Sequence, residues 1–308
     1  MTKPISLGLV GLGTIARNQH LPSLADTPAL ELTAIASRNA SLDGVLCFQD
    51  IHAMLEGSDI AAVSLCTPPQ GRFEQAVATI EAGRHLILEK PPGATVSEVQ
   101  ALARLAEAKG VTLFATWHSR EAAAVEKARE MLSDAVITSV KISWREDVRH
   151  WHPGQEWIWQ PGGLGVFDPG INALSILTRI MPDPVHVHAA MLEVPSNKQA
   201  PIGAELEMRS AKGAPVHAVF DWRQTGPQTW DIEVETETGT ITLRDGGATL
   251  HQGDTCLIAA QDEEYRRLYK RFGELIAAGQ SEVDLAPMQL VADAFLLADK
   301  RDTDPFHD

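Results

Sequence analysis

Cysteine is scarce in this chain: three in 308 residues, Cys47, Cys66 and Cys256, with no Cys-x-x-Cys spacing. So odd and scattered a set builds neither a disulfide framework nor a zinc site, and it suits a reducing compartment. Positive charge is also in deficit. Lys and Arg number 26 against 41 Asp and Glu, a formal net charge of −15. A nucleic-acid surface needs clustered Lys and Arg to neutralise phosphates, so no nucleic-acid partner is expected. The acidity serves solubility, and an anionic ligand has to be held by local cations against an unfavourable overall field. No apolar run reaches the roughly 18 residues that span a bilayer, so no membrane partner is expected either. Met1-Thr2-Lys3-Pro4 leads straight into a strand pattern without the apolar stretch of a secretion signal. The chain is therefore read as cytoplasmic. His150 and His152 lie close in sequence, but no carboxylate or cysteine stands at metal spacing around them, and no metal is expected.

What is present divides in two. A chain of 308 residues is comfortable as two domains of about 100–200 residues each. Up to about Trp117, short apolar strands alternate with helices: Ile5 to Val10, Leu32 to Ser37, Ile60 to Cys66, His85 to Leu88 and Thr112 to Thr116 are the strands. Thr95-Val96-Ser97-Glu98 is a capping box that opens a helix ending at Gly110. Such alternation implies a parallel sheet covered on both faces. Beyond it, Val136 to Trp144 and nearly everything from Val185 to about Leu257 reads as strand. His217, Val219 and Asp221 alternate there with Ala218, Phe220 and Trp222, the period of a sheet with two different faces. Helices fit Asn172 to Ile180, Glu264 to Ala278 and Met288 to Ala298. The predicted fold class is α/β: a doubly wound parallel sheet over residues 1–118, then an α+β domain with a largely antiparallel open sheet over residues 119–308, the last helices free to pack back on the first domain.

Gly11-Leu12-Gly13-Thr14-Ile15-Ala16 follows the first strand and opens the first helix. This is Gly-x-Gly-x-x-Ala in the strand–turn–helix setting of a Rossmann dinucleotide site. Gly11 makes the tight turn, Gly13 lets the backbone approach a pyrophosphate, and Ala16 lets helix and strand pack closely. The helix N-terminus presents unpaired N–H groups to the phosphates. An NAD site places an acid on the ribose about 20 residues on. Here Leu32 to Asn39 contains no acid, and Ser37 and Arg38 stand where it would be. A hydroxyl and a guanidinium bind a 2′-phosphate that a carboxylate would repel. NADP is the expected cofactor, with NAD tolerated.

Glu89-Lys90-Pro91-Pro92 stands at the C-terminal end of the fourth strand, the edge beyond which ligands bind in open α/β sheets. Asp168-Pro169-Gly170-Ile171-Asn172 follows the glycine-rich stretch from Pro161 to Gly165 and opens a helix. Asp168 and Asn172 are four apart and share a helix face; the bland reading of Asp168 is an N-cap. Trp144, Trp151, Trp157 and Trp159 are dense for one stretch and read better as core packing than as a sugar-stacking platform.

The combination of Gly11-x-Gly13-x-x-Ala16, Thr67-Pro68-Pro69, Glu89-Lys90-Pro91 and the helix-opening Asp168 resembles the Gfo/Idh/MocA oxidoreductases along essentially the whole chain. That resemblance implies that Lys90 is catalytic, that the bond before Pro91 is often cis, and that the second domain's sheet mediates homo-oligomerisation. It implies a cofactor held by Gly11, Gly13, Thr14, Ile15, Ser37, Arg38, Thr67, Pro68, Glu89 and Lys90. Passages such as Ala115 to Arg120, Trp144 to Arg149 and Trp151 to Gln155 are similar to the family's bacterial L-arabinose/D-galactose 1-dehydrogenases. By that similarity Lys90, Glu146, His152, Asp168 and Asn172 line a sugar site. His118 ends the fifth strand at the ligand edge and reads equally as a wall of that site or as a structural hydrogen-bonding residue. Lys90, Asp168 and Asn172 are expected to do the chemistry. Many members carry Asp-x-x-x-His, whereas this chain has Asn172 at the last position. The missing imidazole favours the more acidic hemiacetal hydroxyl at C1, oxidised to a lactone by NADP. Two other readings keep the fold: a sugar or polyol oxidoreductase acting at a ring carbon or as a reductase, and a non-catalytic NADP-binding regulator, against which the retention of Lys90 and Asp168 argues.

Overall fold

The structure, a computed structural model, describes residues 3–307; Met1 and Thr2, part of the N-terminal reading above, lie outside the described residues. The chain forms two compact units, one of Met1–His118 with Tyr265–Leu285 and one of Ser119–Glu264 with Ala286–Asp308.

The first unit is built on six strands: β1 (Ile5–Val10), β2 (Leu30–Ala36), β3 (Leu46–Phe48), β4 (Ala62–Leu65), β5 (His85–Leu88) and β6 (Leu113–Ala115). They lie in the order β3-β2-β1-β4-β5-β6, and every pairing is parallel. Both faces are covered, which is why these strands read as continuous apolar runs rather than alternations. One face packs Val10, Met54, Ile60, Ile80 and Leu102; the other packs Leu7, Leu9, Ala16 and Phe114. The second face receives the helix Glu264–Ala278, whose Tyr265, Leu268, Tyr269, Phe272 and Leu275 form a buried stripe at helical spacing. Thr95 caps the helix Val96–Lys109 by accepting the Glu98 N–H at 3.2 Å. The reciprocal arm of the box lands one residue early, with Glu98 Oε2 accepting the Ala94 N–H at 2.9 Å.

The second unit carries nine strands: β7 (Ile137–Arg145), β8 (Val185–Pro195), β9 (Gly203–Ser210), β10 (Pro215–Asp221), β11 (Thr229–Thr236), β12 (Gly239–Arg244), β13 (Thr249–Gln252), β14 (Thr255–Ala259) and β15 (Ala298–Thr303). Their order is β14-β13-β12-β11-β7-β10-β9-β8-β15. The pairs β10–β7 and β15–β8 are parallel and the rest antiparallel. Val216, Ala218 and Phe220 of β10 point into the core, and His217, Val219 and Asp221 do not. The helix Phe167–Ile180 is buried along most of its length. It lies so close to the sheet that a Cβ on Gly170 would stand 2.7 Å from Phe220 Cδ1.

Several elements escape the sequence pattern, the short helices Val148–Trp151 and Glu156–Trp159 among them. The helix Ile51–Gly57 and the short β3 have too few residues to show a period. β15 is made of Ala298-Asp299-Lys300-Arg301-Asp302-Thr303, a composition that disfavours strand. Its pairing is imposed by the open edge of β8, a case of tertiary context overriding propensity. Among the described residues no helix is long and apolar enough to cross a membrane.

Candidate active site

In the first unit, β1 ends at Val10 and the chain turns at Gly11 with φ +91°. A Cβ there would press within 3.0–3.2 Å of Thr67 and Cys66, so glycine is required by both backbone and space. A Cβ on Gly13, by contrast, meets no atom within 4 Å, which leaves its backbone approachable. The first helical bond runs from the Arg17 N–H to Gly13 O at 3.1 Å. The N–H groups of Thr14, Ile15 and Ala16 therefore have no acceptor within the helix. These features fit the pyrophosphate of a dinucleotide. The helix continues through a π-turn at Ala16–His20. Pro22 has no N–H to continue the α-ladder, and the Leu21 N–H reaches back five residues to Ala16 O. Past β2, Ser37 and Arg38 line an open cavity of about 360 Å³ with Asn39, Ser41 and Gln49. Arg38 is exposed and has no carboxylate partner among the described residues.

At the end of β5 the Lys90–Pro91 bond is cis. Glu89 is buried beneath it. Its Oε2 accepts the Lys90 N–H at 2.6 Å, and its Oε1 accepts the Tyr265 hydroxyl at 2.5 Å and lies 3.3 Å from His20 Nε2. His20 Nδ1 is 2.6 Å from the Tyr269 hydroxyl, which in turn lies 3.1 Å from Ser64 Oγ. Burial alone would raise the Glu89 carboxyl; His20, His118 and Tyr265 overcome it and hold the group well below the usual carboxylate range. Burial works against the charged form of His20 too, but Cys66, Tyr269 and Glu89 hold its pKa well above that of a free imidazole. Arg72, also buried, donates to the carbonyl oxygens of Thr67, Glu89 and Pro91, tying the Thr67-Pro68-Pro69 loop to the turn that carries Lys90. The His118 ring stacks on Tyr265 with centroids 5.3 Å apart.

In the second unit, Glu146 follows β7 and is 2% exposed. Both its oxygens are engaged: the Trp222 indole N–H donates to Oε1 at 3.2 Å and the Trp230 indole N–H to Oε2 at 2.9 Å. His152 closes the short helix Val148–Trp151. Its Nε2 lies 3.6 Å from Glu146 Oε1 and 3.7 Å from Asp168 Oδ2. Asp168 is not an N-cap. The helix begins at Phe167 with Val166 in the cap position and no side-chain cap, so Asp168 sits inside the first turn, where the helix dipole favours its charge. The glycine-rich loop before it is forced by crowding: a Cβ on Gly163 would stand 2.1 Å from Trp157 O. Asn172 follows one turn later, and its backbone oxygen accepts the Ser175 hydroxyl. Trp144 and Trp159 are buried, whereas Trp151 is exposed beside Trp230.

The structure thus groups Glu146, His152 and Asp168 in one unit, and Glu89, the Lys90 backbone and His118 in the other. The residues that support them were not visible in the sequence. His20, Arg72, Tyr265 and Tyr269 brace the Lys90 turn, and Trp222 and Trp230 brace Glu146. A buried stripe marks Tyr265 and Tyr269 as core; nothing local marks their hydroxyls. Glu205, Glu207 and His217 also lie together, half-buried to exposed on the sheet, with His217 Nε2 2.7 Å from Glu205 Oε1. A hydrogen bond between His217 and Glu205 ties two of the three together.

Comparison with known proteins adds four findings. Residues 5–117 match the oxidoreductase family Gfo/Idh/MocA, NAD-binding Rossmann fold. The chain is 41% identical over 319 aligned residues to the galactose 1-dehydrogenase of Pseudomonas fluorescens, covering 99% of this chain and 100% of that one. It is 53% identical to the D-galactose-1-dehydrogenase of Rhizobium etli, whose crystal structure superposes with a TM-score of 0.96 over 100% of this chain and 99% of the other. A 3-ketoreductase of Actinomadura kijaniata solved with NADP, 19% identical over 97% of this chain and 99% of its own, shares the fold with a TM-score of 0.82.

Proposed function

The chain belongs to the Gfo/Idh/MocA oxidoreductase family, and from that premise we propose that it oxidises a free aldose at C1, with D-galactose and L-arabinose as substrates and NADP as the preferred acceptor. Full-length similarity to the galactose 1-dehydrogenases of two bacteria supports this reading. The observation in the chain itself that carries it is Asn172, one turn after the buried carboxylate of Asp168. An amide cannot take a proton. A hydroxyl worked on beside it has to part with its proton readily, and the hemiacetal hydroxyl at C1 is the most acidic on the ring.

Lys90 and Asp168 work on the C1 proton as a pair, and Asn172 orients the C1 oxygen. Glu146, His152 and His118 hold the remaining hydroxyls. Gly11, Gly13, Thr14, Ile15, Thr67, Pro68 and Glu89 serve the dinucleotide, whose nicotinamide, when bound, accepts the hydride from C1. Ser37 and Arg38 take the 2′-phosphate. D-Galactose and L-arabinose share configuration at the ring carbons they have in common, so one set of donors and acceptors serves both. An epimer leaves some of them unpaired. The first product is a lactone, which hydrolyses to the aldonic acid and releases a proton. Three free thiols suit a cytoplasmic enzyme, and the second unit's sheet is its oligomerisation surface.

The test is the appearance of NADPH absorbance across a panel of aldoses and their methyl glycosides. The glycoside of the best sugar keeps its other ring hydroxyls but has C1 blocked, and is expected to be inert, because only contacts made in the right transition state raise the rate. Steady NADPH production from it would refute C1 chemistry and move the reaction to a ring carbon.

A further inference from the structure

His152 stands in an environment that offers more than the holding of a hydroxyl. Its Nε2 faces two carboxylates at once, Glu146 Oε1 at 3.6 Å and Asp168 Oδ2 at 3.7 Å. Both of those residues are 2% exposed, and the imidazole itself is 16% exposed. On the other side of the ring, Nδ1 lies 3.4 Å from Gln155 Oε1. An amide oxygen only accepts, so Nδ1 keeps its hydrogen, and Nε2 is the nitrogen that gains or loses a proton. Nε2 thus stands a short approach from either carboxylate, in a pocket where Glu146 and Asp168 are both almost fully buried. Glu146 is held in place for this, because each of its oxygens already accepts an indole N–H, from Trp222 and Trp230. The neighbourhood is otherwise aromatic: the His152 and Trp222 rings lie 5.4 Å apart.

We propose that His152 is the proton store of the site: Asp168 takes the proton of the C1 hydroxyl and passes it to His152 Nε2, where Glu146 holds the imidazolium. This rests on the reading of C1 oxidation above and assigns His152 a part in it that the reading lacks. The O–H bond at C1 breaks, and its proton goes to the Asp168 carboxylate and then to Nε2. The C1–H bond breaks with its electron pair, which leaves as hydride to the nicotinamide, and C1–O becomes the carbonyl of the lactone. The imidazolium returns its proton to water once the product has left. The 3.7 Å gap has to shorten by about half an ångström for the transfer, the kind of tightening that substrate brings to a site at rest. His152 acts through Asp168 and is a positioning and relay residue.

The experiment compares His152→Gln and His152→Ala with the wild type on its best aldose. Glutamine still bonds a hydroxyl but takes no proton. The expected result for His152→Gln is a kcat lower by about 10²-fold, the scale of a lost proton acceptor, with the calorimetric Kd for the sugar changed by less than about three-fold. In His152→Ala, added imidazole is expected to restore kcat by at least about ten-fold, since it supplies the missing acceptor. A kcat near that of the wild type with a weakened Kd would make His152 a hydroxyl holder and overturn the relay. Loss of kcat in both variants with no rescue by imidazole would overturn it equally, as a structural role. A wild type that oxidises no aldose would sink the underlying reading first, and this one with it.

Discussion

Removing the Arg38 guanidinium isolates the choice of cofactor. Arg38 is exposed, has no carboxylate partner among the described residues, and borders the cavity of about 360 Å³ shared with Ser37, Asn39, Ser41 and Gln49. Arg38→Ala therefore disturbs little except a ligand placed there. A hydrogen bond to a charged group contributes roughly 1.5–3 kcal/mol. Solvent and salt screening at an exposed position pull the figure to the lower end. At about 1.4 kcal/mol per decade, the expected loss is about 10- to 30-fold in NADP affinity and less than about two-fold for NAD. The assay is titration calorimetry with each dinucleotide at low and high salt. The wild-type affinity for NADP is expected to fall more steeply with salt than that for NAD, and the variant to lose that difference. Arg38→Asp goes further, because a carboxylate repels the 2′-phosphate while accepting the ribose hydroxyls of NAD. Equal losses for the two cofactors in Arg38→Ala, or none for either, would refute the assignment.

Other perturbations follow from the same geometry. Lys90→Ala is expected to lower kcat by about 10²–10⁴-fold while the Kd for NADP stays within a few-fold; retention of more than about a tenth of kcat would make Lys90 a structural residue of the turn. His20→Gln tests the buried cluster through pH. Because the folded pKa of His20 is raised, its stabilisation is complete below the unfolded value near 6.5 and is lost as pH rises toward the folded value. Above about pH 6.5 the wild type should lose up to ~1.4 kcal/mol per pH unit relative to the variant in urea denaturation, and parallel curves would show that His20 is not charged. Gly170→Ala would push a methyl to 2.7 Å from Phe220 Cδ1, and Phe220 is itself hemmed in by Phe167 at 5.5 Å. A cost of about 1–3 kcal/mol follows, read as a lower thermal midpoint, and an unchanged midpoint would mean that the ring slides aside.

The parts of this molecule that could be read from its sequence are those whose cause is local. Gly11, Gly13 and Ala16 announce their turn because each glycine or alanine answers a constraint within one strand–turn–helix unit. Thr95 and Gly110 mark the two ends of one helix for the same reason. Asp168 was half legible: its helix is visible, but the start at Phe167 depends on the crowded loop from Gly163 to Gly165 and not on a cap. The bracing of Lys90 was not legible, because His20 meets Glu89 across 69 residues and Tyr269 across 249. Trp222 and Trp230 likewise reach Glu146 across 76 and 84 residues. β15 is invisible because its strand character belongs to the edge it joins.

The two margins of the nine-stranded sheet are unlike. β15 shows Asp299, Lys300, Arg301 and Asp302 to solvent, and a stranger's backbone would have to strip water from those charges to add beside it. β14 presents Thr255-Cys256-Leu257-Ile258-Ala259, uncharged and mostly exposed, with Leu257 43% accessible. Unpaired N–H and C=O groups on such a margin are a template for one more strand. Association through this sheet would therefore stop at pairs joined β14 to β14, because the β15 margin of each member stays closed to a third molecule. In such a pair Cys256, exposed on that margin, is placed to bridge the two β14 strands on oxidation in air.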